Sequence, residues 1–87
     1  MSTLAQGATQ VRAALAACTR ARQALQEATD PLEEAAQYLG EALQGVGDPD
    51  AAQAPALMSN AANELVETYQ ILADVESRAR AFLATLG

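Results

Sequence analysis

The chain contains no histidine, tryptophan or lysine and only one cysteine, and each absence removes a class of chemistry. Without imidazole there is no histidine-based acid–base catalysis, and a His/Cys metal site has too few ligands to form. One thiol, Cys18, makes no internal disulfide. Aromatic side chains are scarce as well: one Phe and two Tyr stand against 22 alanines in 87 residues. A core of Ala, Leu and Val removes little area from water per residue, at about 25 cal/mol per Å², so a self-sufficient globule is not expected. No run approaches the roughly 20 apolar residues of a membrane span. The N-terminus also lacks the basic-then-apolar plan of a signal peptide. A net charge of −6 argues against a nucleic-acid partner.

What the chain does have is helix-forming residues in a seven-residue rhythm. Leu4, Val11, Cys18, Leu25, Leu32, Leu39 and Val46 recur every seventh position, interleaved with Ala8, Leu15, Arg22, Thr29, Ala36 and Leu43. This 4–3 alternation is that of a helical seam. Beside it runs a row of small residues, Gly7, Ala14, Ala21, Ala28, Ala35 and Ala42. The second half repeats the pattern as Met58, Leu65, Leu72, Ala79 and Leu86, with Ala61, Thr68, Val75 and Phe82 between them. Ala62, Tyr69 and Leu83 lie one position off that seam and widen the apolar face.

Turn chemistry divides the halves. Gly45-Val46-Gly47-Asp48-Pro49-Asp50 supplies glycines to stop one helix and an Asp-Pro pair to start the next. The expected fold is therefore all-α: one antiparallel helical hairpin over 1–87, with helix 1 about 3–45, a turn about 46–54 and helix 2 about 55–86. Pro31 either kinks helix 1 or breaks it into two, since a proline in a helix interior costs about 3 kcal/mol. The unslipped phase from Leu25 through Leu32 to Leu39 favours the kinked, continuous form.

The carboxylates are the remaining candidates for chemistry. Glu33, Glu34 and Glu41 can face Glu64 and Glu67 across a hairpin, but a di-iron bundle needs Glu-x-x-His and there is no His. Asp48-Pro49-Asp50 is too short for a calcium loop. Paired-carboxylate catalysis needs a desolvated pocket that a rod does not offer. No enzymatic activity, cofactor or metal is expected.

All five arginines lie towards the chain ends, whereas residues 27–50 carry seven acids and no base. Folding at about residue 48 brings Arg22 towards Asp74 and Arg20 towards Glu76 as expected charge pairs. Arg22 and Thr29 interrupt the first seam, either where it turns outward or as buried polar residues that fix register. Cys18 on the seam reads as a small hydrophobe, or as an interchain bridge if a two-fold axis passes near it.

A lone hairpin leaves the outer rows of both helices in water. The expected interface is Ala14, Ala21, Ala28 and Ala35 on helix 1 with Ala62, Tyr69 and Leu83 on helix 2, and the expected assembly is a homodimeric four-helix bundle. The function expected is that of a non-enzymatic interaction module, with a structural subunit of a larger homo-oligomer as the alternative.

In its size, its two long amphipathic helices and the Gly45-Val46-Gly47 turn near its midpoint, the chain resembles the small Trp-X-Gly helical-hairpin proteins of actinobacterial type VII secretion, although glycine stands where that family has Trp, and the nearest match to its tail signal of Tyr, three residues and an acid, Tyr69 to Asp74, is one residue too long. It is also similar to the helical partners of polymorphic toxins. Abundant Ala and Arg without Lys fits a high-GC source. The resemblance implies a dimer with itself or a related helical protein, acting as adaptor or chaperone for a larger toxin or secreted protein. The location expected is cytoplasmic, with export without a cleaved signal peptide as the alternative the resemblance implies.

Overall fold

The computed structural model describes residues 3–86; the outermost residues of the expected domain, 1–2 and 87, lie outside them. Three helices follow one another: α1 over Thr3–Ala42, α2 over Pro49–Ala52 and α3 over Ala54–Leu86. No strand occurs among the described residues. α1 packs antiparallel along α3, with α2 as a short step after the turn, and the result is a rod of 68 × 17 × 15 Å. Its radius of gyration is 19.7 Å, where a compact domain of this length has about 12 Å.

α1 runs unbroken through Pro31, as the conserved heptad phase favours. The proline faces solvent, so the carbonyl it leaves without an amide partner is accessible to water. On either side of it the seam stays inward, with Leu25, Thr29 and Leu32 half-buried and Ala36 buried. Threonines sit within both helices without leaving a polar group idle. The hydroxyls of Thr9, Thr29 and Thr68 donate to carbonyls one turn back, at 3.0, 2.7 and 2.9 Å.

α1 ends at Ala42, three residues before the expected limit of 45. Gly45 takes a φ of +79°, the left-handed conformation that closes a helix, and the Val46 amide donates back to the Leu43 carbonyl at 3.0 Å. Asp48 then caps α2, its Oδ1 accepting from the amides of Asp50 at 3.0 Å and Ala51 at 3.4 Å, with Pro49 behind it. Gln53 interrupts the second arm just before Pro55, and α3 starts one residue earlier than expected. So the segment between the arms holds a capped helical turn as well as the glycine stop.

Candidate interaction surface

Between the arms, the apolar residues that are buried are all small, Ala8, Ala36 and Ala62 among the described residues. The first seam faces inward as the rhythm predicts, from Ala8 to Leu43, while Leu4 is exposed at the open end. On α3 the inward rows differ from expectation. Met58, Leu65, Leu72 and Ala79 face α1, but the row interleaved with them is Ala62, Tyr69, Glu76 and Leu83. Thr68, Val75 and Phe82, expected on the seam, are exposed.

The reason is electrostatic. Glu76 is 1% exposed and forms an ion pair with Arg22, the cation on the first seam. Thr19 completes the layer: its hydroxyl lies 2.9 Å from Glu76 Oε1 and 3.1 Å from the Leu15 carbonyl. It donates to one at a time, and the carboxylate is the stronger acceptor. Arg22 Nη1 also donates to the Tyr69 hydroxyl at 3.2 Å, and its guanidinium carbon stands 5.3 Å from the ring centroid. Turning Glu76 inward gives Arg22 its counter-charge; turning Val75 inward instead would leave that cation facing an apolar wall. Burial raises the Glu76 carboxyl pKa most, but the Thr19 hydroxyl and the Arg22 guanidinium together outweigh it and hold the group below the ordinary carboxylate range. The Arg22 guanidinium is in turn held further up, chiefly by Glu76.

The expected charge pairs are thus corrected. Arg22 pairs with Glu76 rather than Asp74, which instead accepts from Arg78 Nε at 2.9 Å one turn along the same helix. Arg20 is exposed and forms no ion pair among the described residues. Thr19, which completes the layer, carries no signal in the periodicity, because it lies one position off the seam.

The other expected interface residues separate into two groups. Ala62, Tyr69 and Leu83 lie on the intramolecular seam, Ala62 at 1% exposure. Ala14, Ala21 and Ala28 are exposed and Ala35 is half-buried. The hairpin therefore has two unlike sides. One carries a shallow notch lined by Gln26 and Asp30 from α1 and Val66 from α3, around Leu25, Leu65 and Tyr69. Residues that follow the seam positions on each helix meet there. In an antiparallel pair, residues that precede the seam meet on the opposite side. That side holds Ala14, Ala21 and Ala28 beside Val75 and Phe82, with Leu57 and Ile71 one row further out at 64% and 62% exposure. Sequence reading singles out neither Leu57 nor Ile71; their signal is a shared helical arc with Val75 and Phe82.

Among the described residues no group of three or more His, Cys, Asp or Glu side chains is placed to hold a metal ion. No described helix is long and apolar enough to cross a membrane. Cys18 is a free, half-buried thiol on the seam. The chain matches no family model, no curated protein and no solved structure.

Proposed function

We propose that this chain is a non-enzymatic protein–protein interaction module. It is a small acidic helical hairpin that serves as adaptor, chaperone or secretion-associated partner of a larger protein, and it closes its open side with a second copy or a related helical protein. The observation that carries this reading is the exposed apolar side itself. Leu57, Ile71, Val75 and Phe82 stand in water beside an alanine row, while only alanines among the apolar residues are fully buried. Likeness to the Trp-X-Gly hairpins supplies the secretion-associated part of the reading.

Light scattering for absolute mass, with circular dichroism on the same sample, tests it. A helical species at twice the chain mass fits a preformed dimer. A chain-mass species of weak helicity fits a hairpin that needs a different partner to fold. A chain-mass species that is fully helical and melts cooperatively at high temperature overturns the reading, because such a hairpin needs no partner.

The uneven charge favours one second reading, a structural subunit of a larger homo-assembly. The open half, up to residue 24 and from residue 72, holds all five arginines and two of the eleven acids, a net +3; the turn half holds the other nine acids and no base, −9. Contact between opposite ends would build species above a dimer that dissociate in salt.

A further inference from the structure

We infer that a second copy of this chain packs antiparallel on the side bearing the alanine row and Phe82, about a two-fold axis level with Ile71. This inference rests on the self-association reading above and adds the face, the direction and the pairing residues.

Area sets the scale. The chain exposes 6204 Å², where a compact monomer of its mass exposes about 4,850 Å². That excess exceeds the roughly 800 Å² each partner of a standard interface buries. Most of a rod's surplus lies along its flanks, and here one flank is apolar.

Charge sets the direction. On that side the exposed rows of α1 carry no ionised residue, and those of α3 carry two, Glu64 and Arg78. They have opposite signs and stand seven residues on either side of Ile71. Seven residues is close to two helical turns, so all three share one azimuth. A two-fold axis level with Ile71 lays α3 antiparallel on its counterpart and sets Glu64 of each copy against Arg78 of the other, the reciprocal pairing a closed dimer requires. The Arg78–Asp74 contact is an exposed pair within one helix and gives way at little cost.

The first arm agrees. The contacts of Thr19 and Arg22 with Glu76 and Tyr69 bring Ile71 level with about residue 23 of α1. Arg20 and Glu27, exposed on the outer edge of α1, bracket that same level with opposite charges. The alanine rows of the two copies then meet each other, and small side chains let the backbones approach closely. At the scale of the rod, antiparallel packing sets each −9 half beside a +3 half, whereas parallel packing sets −9 beside −9.

Sedimentation equilibrium, with circular dichroism to follow helicity, tests each part. The wild-type chain should have twice the chain mass, and Ile71→Asp should reduce it to the chain mass with helicity retained. Glu64→Arg and Arg78→Glu should each raise the dimer dissociation constant about tenfold. An equal mixture of those two variants, or both changes in one chain, should restore it. Should Ile71→Asp unfold, a disulfide trap replaces it. In a Cys18→Ala background, Ile71→Cys should cross-link between copies on oxidation, while Phe82→Cys, far from the axis, should not. A fully helical wild-type monomer overturns self-association altogether. A wild-type dimer that tolerates Ile71→Asp, or fails to cross-link through Ile71→Cys, overturns the face alone. A dimer indifferent to both charge reversals, or cross-linked through Phe82→Cys, overturns the antiparallel axis.

Discussion

At the scale of single residues, the hairpin's register is written in one polar layer. Leucines slide past leucines with little loss, but Arg22 and Glu76 meet in one alignment only. Glu76→Gln keeps the size of the side chain and removes the charge, so it should lower the melting temperature at neutral pH. The pH dependence has a definite sign. The folded carboxyl ionises below an unfolded glutamate, whose pKa is about 4.3, so the pair's stabilisation is complete above that pH and is lost as pH falls through the folded value. Melts of wild type and Glu76→Gln should therefore differ at neutral pH and converge only in acid, as pH falls below the unfolded glutamate range and through the lowered folded value. The layer was partly legible in the sequence. Arg22 on the first seam calls for an acid opposite, and only one of the two candidate rows of the second helix contains one at that level. Counting apolar residues alone selects the other row, because Val75 and Phe82 score better than Glu76.

At the scale of the element, periodicity was informative and local chemistry set the ends. A helix that keeps its inner face across Pro31 does so because the packing of Leu25, Leu32 and Ala36 outweighs one lost hydrogen bond. Pro31→Ala should then stabilise the hairpin, by up to about 3 kcal/mol in urea unfolding, with no change of register. Gly40 lies inside α1 with open space where a Cβ would stand, so Gly40→Ala should add about 1 kcal/mol. Gly45→Ala also meets no neighbour, yet it should destabilise by about 1–2 kcal/mol, because its φ of +79° is unfavourable for any residue with a Cβ. The opposite signs of these two changes, measured in the same denaturant series, separate a helical glycine from a turn glycine. The turn role of Gly45 was visible in the sequence; what was not visible was that Asp48 opens a helix of only four residues. That outcome depends on Pro55 and on where α3 can begin to pack, which is tertiary information.

At the scale of the whole molecule, the sequence announces a hairpin with surplus apolar surface but cannot say which side stays open. The side depends on which row of α3 turns inward, and that is decided by the polar layer. Small-angle scattering distinguishes the ways of covering it. A side-by-side antiparallel dimer keeps the 68 Å length and thickens the cross-section. End-to-end assembly should instead lengthen the particle at constant cross-section. The single turn has a further kinetic meaning. Thr19 and Glu76 are 57 residues apart in the chain, and bringing them together directly means closing one long loop. Zipping up from Gly45 and Asp48 replaces that step with many short ones, each adding a few residues to a duplex already formed. Opening runs the other way, starting where Leu4 and Leu86 are already exposed. Amide exchange should accordingly be fastest beyond Thr19 and Glu76 towards the open end and slowest between that layer and the turn, so the ion pair works as a clasp partway along a zip.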